Sequence, residues 1–480
     1  MTDPLALLPL AAASRGGSID DFPAPALVAA GLTLLQRSAP LVRALAGKRS
    51  ALLLPTSPAF LVALAASEGR GAVLINPLAA PREISFQIED ASVGAVFTIG
   101  ALAGRLPPDI TRVILDDAPR TAVVVAAGVS RTIDLGSHYA FDVAGDPDVP
   151  GDTGEAAIVY TSAMHGRPLG AILTHRNLLA NARATIVAAA VTEREHMLAA
   201  LPYSHLFGLV ASGITGLLAG ARITTMARFQ TARALELLAG GSVTMFVGVP
   251  AMFIALLAAI ERAGRPFDGR ALRLCICGGA PLARDVQDRW FDVTGIELHQ
   301  GYGLTEASPV ALCNRIGTPN VRGTLGTPFP GVEVSIRDEM TFVPLLDGAR
   351  GEICIRGDTV FAGYVRAAGA PPPLGLEVRD GWLRSGDLGV RRSDGAVVFA
   401  GVSKAMFTRN GFNIYPREIE AAVSELPGVR AATVSPIPNP LRENDIGLVV
   451  AGTVREADVR LGCERSLSAY KQPATVIVEP

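Results

Sequence analysis

Short aliphatic or β-branched runs alternate with stretches of amphipathic, helix-like spacing along most of this chain. Strands are predicted over residues 51–54, 71–75, 95–98, 113–115, 156–160, 272–277 and 332–336. Helices are predicted over 57–68, 81–91, 176–190, 231–239, 250–263 and 283–294. That alternation predicts an α/β fold with largely parallel sheets. Asn76 and Pro77, and the turn Gly279, Ala280, Pro281, follow strand-like runs, where open sheets bind ligands. A smaller α+β unit is predicted after Gly401: an acidic helix over 417–426, strands over 431–434 and 447–451, and a helix over 456–467.

Composition narrows the classes. The 480 residues are long for one domain, and 49% hydrophobic content supplies a large core. A net charge of −2 carries no nucleic-acid footprint. The six histidines are scattered, and the five cysteines form no CxxC pair, which argues against a zinc site or a disulfide framework. A reducing, cytoplasmic setting is expected. The N-terminal run lacks a basic segment and carries Asp3, unlike a signal peptide. The apolar stretch 209–221 is too short and glycine-rich for a membrane span.

Residues 158–178, IVYTSAMHGRPLGAILTHRNL, have the outline of a phosphate-binding loop without its grips. A triphosphate needs close backbone amides, hydroxyl donors and a cation. Each charge-assisted contact is worth about 1.5–3 kcal/mol. Met164 and Leu169 offer neither charge nor a useful donor, and an unperturbed His165 is mostly neutral at pH 7. Alone, the segment reads as a surface turn.

In the context of the later motifs, it resembles the loop of the adenylate-forming superfamily of acyl-CoA ligases, adenylation domains and luciferases. That loop runs Tyr-Thr-Ser-Gly-Ser/Thr-Thr-Gly-x-Pro-Lys-Gly. Tyr160, Thr161, Ser162, Gly166, Pro168 and Gly170 are kept; Ala163 replaces a glycine, Met164 and His165 two hydroxyl residues, and Leu169 the lysine. The resemblance runs from about Ala51 to the end. It implies a large N-terminal domain of stacked mixed sheets over 1–400, a hinge over 401–405 and a shortened α+β C-terminal domain over 406–480.

Other segments carry the resemblance further. LPYSHLFGL implies His205 and Phe207 beside the acyl pocket, and FVGVPAMF implies Val249 in another wall. CGGAPL places Gly278 in the pocket and Gly279, Ala280 and Pro281 under adenine. HQGYGLTEASPV is the strongest match: it implies Tyr302 stacked on adenine, Thr305 on the α-phosphate and Glu306 on Mg²⁺, with Gly301 and Gly303 letting the backbone approach. Asp387, within WLRSGDLG, matches the aspartate that accepts both ribose hydroxyls. Lys404, Gly411, Asn413, Pro416 and Glu418 are kept in the hinge and the loop after it, whereas Val402 and Ala405 depart from the pattern. Lys471 belongs to a Tyr-Lys-x-Pro segment, and the family's later Gly-Lys is not reached before Pro480.

The departures share a step. Family members first form acyl-AMP from ATP, then pass the acyl group to a thiol. Ala163, Met164, His165, Leu169 and the missing terminal lysine concern the first step, and Ala405 concerns the switch between steps. The resemblance puts Gly411 on the loop that lines the pantetheine tunnel, where a side chain would block the thiol; its retention, with His205 and Lys404 as further candidate catalytic positions, implies a surviving second step. The expectation is a non-adenylating acyl-CoA ligase converting a hydrophobic acyl-AMP and CoA to acyl-CoA and AMP. It is similar to split systems of bacterial natural-product pathways such as platensimycin-type diterpenoid assembly. A separate adenylating enzyme is then the expected partner. CoA and the AMP moiety are the expected bound groups, and Mg²⁺ is needed only if ATP is used. A complete ATP-dependent ligase and an inactive acyl-AMP-binding protein stand as alternatives, and a homodimer remains open.

Overall fold

The computed structural model describes residues 16–67, 71–116, 118–136, 154–161, 168–264, 266–366, 376–402, 406–439 and 441–479. Among these, strands build two nine-stranded sheets, a five-stranded sheet, a two-stranded ribbon and a three-stranded sheet. The fold is α/β, a large N-terminal region of mixed sheets with a smaller C-terminal one.

The first large sheet has the parallel core Arg222–Thr225, His196–Ala199, Met245–Gly248, Leu274–Cys277 and Leu298–Gly303. Val310–Cys313 adds antiparallel to Leu298–Gly303, and Thr327–Pro328 forms the edge beyond it. The second has the parallel core Glu155–Thr161, Ala72–Leu74, Arg49–Leu53, Val93–Thr98 and Thr111–Leu115. Leu169–Thr174 lies antiparallel on Glu155–Thr161. Leu169 is therefore a strand residue where the motif suggested a loop, because its backbone pairs with Thr161. Strands buried on both faces read as continuous apolar runs, which explains why most of them were visible in the sequence.

Helix Pro58–Ala66 is buried at all nine positions and lies between layers, packed against Ala24–Arg37. The apolar run 209–221 forms the π-turn Leu209–Ile214 and the helix Thr215–Ala219, every residue of them buried. Among the described residues, no helix is long and apolar enough to cross a membrane. All five cysteines are buried free thiols.

The five-stranded sheet ends with Val397–Val402, which pairs along Trp382–Arg391 as far as Asp387 opposite Val402. The C-terminal part then packs helices Pro416–Ser424 and Glu456–Ser466 on the sheet Val429–Asn439, Glu443–Gly452 and Thr475–Glu479 around its own apolar cluster.

Lys471 ties that part to the rest. Its ammonium is buried, 2.8 Å from Glu83 in helix Pro81–Asp90 and 2.6 Å from Glu418 in the C-terminal part. Ser468 also donates to Glu83, and Arg82 reaches Glu425 on the rim. Removing one partner of a buried ion cluster strands the others, whereas an exposed pair contributes little. Lys471→Ala should therefore lower stability by about 3–5 kcal/mol, and Arg82→Ala by no more than about 1 kcal/mol. Urea unfolding followed by circular dichroism measures both; equal effects would contradict the ranking.

Candidate active site

A cavity of about 450 Å³ opens at the carboxyl ends of the first sheet's parallel strands, where the backbone leaves Cys277 and Gly303. Thr161, His205, Phe207, Gly278, Gly279, Ala280, Pro281, Gly301, Tyr302, Gly303, Thr305, Glu306, Asp387 and Gly411 all line it. Val249 is not among the lining residues but stands behind Gly411, closer than van der Waals contact to any Cβ placed there. Lys404, Ala405 and the loop residues Ala163, Met164 and His165 lie outside the described residues.

One wall is polar and fixed from behind. The Tyr302 hydroxyl donates to Asp387 Oδ2 at 2.7 Å. Burial, reinforced by the Asp387 charge, pushes the Tyr302 pKa well up, so the phenol stays a donor at neutral pH. Asp387 sits after a tight turn whose Gly386 and Asp387 amides are both engaged. Glu352 accepts from Gly386 N–H at 2.9 Å and from Arg384, and Ser385 Oγ accepts from Asp387 N–H at 3.0 Å. Two oxygens of one carboxylate suit a vicinal diol, as in ribose.

Glu306 is buried, and its Oε1 accepts from the Tyr364 hydroxyl at 2.8 Å. Tyr364 in turn accepts from Leu376 N–H at 3.1 Å. Among the described residues, no group of three or more His, Cys, Asp or Glu stands ready to hold a metal. Glu306 alone fits Mg²⁺ only as the single carboxylate beside nucleotide phosphates, which is the usual way that ion is held. Bound there, the ion would neutralise phosphate charge.

Gly303 lines the cavity and also meets a packing constraint. A Cβ there would fall 1.8 Å from the Pro309 carbonyl, so Gly303 allows two chain segments to touch. Gly301 leaves open space towards the cavity, with nothing nearer than 3.9 Å to a would-be Cβ.

His205 opens onto the cavity yet is surrounded by the fold, and that enclosure lowers its pKa. The ring is neutral at pH 7. Its Nδ1 accepts the Phe207 N–H at 3.3 Å, so the proton sits on Nε2, and the group offered to the cavity is a donor rather than a base. Phe207 separates the cavity from a second space of about 30 Å³ lined by Ala188, Ala211, Ile276, Ile316 and Phe329 among others. That space is suited to an apolar group.

The fourth wall comes from the C-terminal part. Gly411 lies in the turn of the hairpin Phe407–Arg409 and Phe412–Ile414, with φ of +77°, and a Cβ on it would meet Val249 Cγ1 at 2.9 Å. Phe412 stacks on Tyr470 at 4.3 Å. Tyr364, Tyr415 and the Glu83–Lys471–Glu418 cluster also line the cavity or its rim, and the sequence reading singled out none of them for the site. The prior signals were Glu418, kept in the loop after the hinge, and the Tyr-Lys-x-Pro segment around Lys471.

Comparison with known proteins agrees with this geometry. A profile of the family described as AMP-binding enzyme matches residues 41–365. A feruloyl-CoA synthase from an Amycolatopsis species is 31% identical over 441 residues, covering 90% of this chain and 84% of its own length. A malonyl-CoA ligase, solved as a ternary product complex with methylmalonyl-CoA and AMP, superposes with a TM-score of 0.79 at 26% identity, covering 98% and 96% of the two chains. ATP-bound MatB from Rhodopseudomonas palustris gives 0.67 at the same 26% identity, covering 97% and 91%. The chain belongs to the AMP-binding enzyme family, and within it to the acyl-CoA ligases.

His196, His205 and His299 all have pKa values lowered chiefly by burial from an ordinary 6.5. Just below pH 6.5 the unfolded chain binds protons that the folded chain does not, so stability falls as pH falls through that range and is fully present above it. Calorimetry between pH 7.5 and 5.5 should show a falling melting temperature. His205→Gln should reduce the slope; an unchanged slope would show that His205 titrates normally.

Proposed function

We propose that this enzyme performs only the second half of the acyl-CoA ligase reaction, converting a preformed apolar acyl-AMP and CoA to acyl-CoA and AMP. The observation that carries the proposal is the wall built by Thr161 and Leu169. Leu169 lines the cavity with an isobutyl group where the family resemblance calls for a lysine on the outer phosphates. The neighbouring Ala163, Met164 and His165 remove the glycine and both hydroxyls of the same grip. Losing one transition-state donor costs about 10²–10³ in rate. Losing several leaves little adenylation.

The residues that would hold acyl-AMP remain. Tyr302 and the turn 279–281 flank the adenine position, Asp387 the ribose and Thr305 the phosphate, while Phe207 borders the apolar space. The likeness to a malonyl-CoA ligase solved with methylmalonyl-CoA and AMP supports a fold that accommodates both products of the thioester step.

In that reaction the CoA thiolate attacks the acyl carbonyl carbon. A C–S bond forms, the C–O bond to phosphate breaks, and AMP leaves with the electron pair. A free thiol of pKa about 8.5 is a few per cent ionised at pH 7, so positioning can carry much of the rate. His205 Nε2–H would donate to the carbonyl oxygen as charge develops. On this reading a separate adenylating enzyme supplies acyl-AMP, as in a split biosynthetic system, and Mg²⁺ has no role.

A complete ATP-dependent ligase is the second reading. It is favoured by the relatives, which are named as CoA synthases and ligases, and by the retained Glu306.

The test supplies CoA with either ATP, Mg²⁺ and a panel of carboxylic acids, or synthetic acyl-AMPs of the same acids, and follows acyl-CoA by mass spectrometry against an enzyme-free control. Product from acyl-AMP alone is expected. Product from ATP and acid at comparable rates would overturn the proposal. Gly411→Ala should lower the CoA step about 10²-fold, the usual effect of displacing a reacting group by about 1 Å, while acyl-AMP binding by calorimetry is unchanged.

A further inference from the structure

We propose that Glu443 is a positioning residue that holds the Asn410–Gly411 turn against the route of the incoming thiol. The inference rests on the thioester-forming reading above. Three independent observations support it.

The turn comes first. Arg409 pairs with Phe412, leaving a two-residue loop with Asn410 at φ +52° and Gly411 at φ +77°. Two successive positive φ values suit a type I′ hairpin turn, which favours Asn-Gly. Such a turn leaves the Gly411 N–H without a partner inside the hairpin, and an enclosed amide needs one. Glu443 Oε2 accepts it at 3.2 Å.

The second observation is docking. The segment 442–444 holds the same hairpin at two further points. Asn410 N–H donates to the Arg442 carbonyl at 3.1 Å, and Asn444 Nδ2 donates to the Thr408 carbonyl at 3.0 Å. Gly411 therefore faces Val249 with its bare Cα while its amide is anchored on a different strand.

The third is cost. Glu443 itself adopts φ +65°, a region that disfavours a residue with a Cβ. Its second carboxylate oxygen is buried beside the Thr408 hydroxyl, and burial raises the carboxyl's pKa. Strained backbone and a buried carboxylate both reduce stability. A glycine at position 443 would remove both costs. Their coincidence at the residue that anchors Gly411 points to function rather than packing.

The experiment compares Glu443→Gly and Glu443→Gln with wild type, using a synthetic acyl-AMP and varied CoA. Relief of strain at position 443 offsets the lost acceptor for the Gly411 amide, so the glycine variant should melt close to wild type. It should lose about 10- to 100-fold in kcat/KM for CoA, as expected for a lost charge-assisted hydrogen bond, with KM for acyl-AMP unchanged. Glutamine keeps an acceptor and should restore most of that loss. CoA parameters unchanged in the glycine variant, or a glutamine variant as impaired as the glycine one, would overturn the proposal. Hydrogen exchange of the Gly411 amide reads the anchor without turnover: it should quicken in the glycine variant, and an unchanged rate would overturn the proposal. If wild type makes no product from any acyl-AMP, the functional reading fails, and the exchange result alone decides the role of Glu443.

Discussion

Placement of the C-terminal part against helix Pro81–Asp90 through Lys471 is the constraint on which the site depends. The ammonium lies between Glu83 and Glu418 in a place nearly closed to water. A buried charge is tolerated only when its partners are in place. This makes the contact selective for one relative position of the two parts, since displacement would break the bonds of Lys471 and Ser468 to Glu83 and leave only the Lys471–Glu418 pair, which is internal to the C-terminal part. In this position the hairpin bearing Gly411 meets Val249 and completes the cavity. The cluster adds no group to the chemistry, but it decides which loop faces the substrate.

The cavity divides by polarity. On one side Tyr302, Asp387 and Glu306 form a hydrogen-bonded wall whose supports, Glu352, Ser385 and Tyr364, are themselves engaged. Such a wall is preorganised: it spends no reorganisation energy when a nucleotide arrives. On the other side Phe207 and the small apolar space beyond it offer no charge. Leu169 extends the apolar character to the edge where outer phosphates would lie. On the proposed reading, a mixed anhydride of an apolar acid and AMP would match both sides at once, whereas a triphosphate would place its most charged portion against the side least able to hold it.

Much of this was legible in the chain. The parallel strands read as apolar runs because both faces are covered, and the residues at their carboxyl ends fell within short motifs of fixed spacing. Gly279, Tyr302, Thr305 and Asp387 could be located for that reason. The hairpin Thr121–Ala126 and Val129–Asp134 was not predicted, because its Ala127–Gly128 turn carries a weak local signal and the outer strand is exposed. Leu169 was read as loop because its strand pairing depends on Thr161, a tertiary fact. Glu83 and Lys471 are 388 positions apart, and no local pattern joins them. Glu443 was hidden most completely. Its importance lies in its own φ angle and in where it meets the Asn410–Gly411 turn; the turn has an Asn-Gly signature, but the docking has none.

Glu443 also bears on how the second step can run without a dedicated base. The thiol needs a clear path and a fixed distance more than it needs a proton acceptor, because a usable fraction is already ionised near neutral pH. Gly411 supplies the clear path by having no side chain. A glycine, however, is also the residue most free to move, so the same choice threatens the distance. Anchoring the Gly411 amide from a neighbouring strand resolves that conflict, restricting the backbone without adding an atom to the route. The strain at Glu443 then has a physical reason: the acceptor must reach from behind the turn, and the left-handed conformation at the start of Glu443–Gly452 is what brings it there.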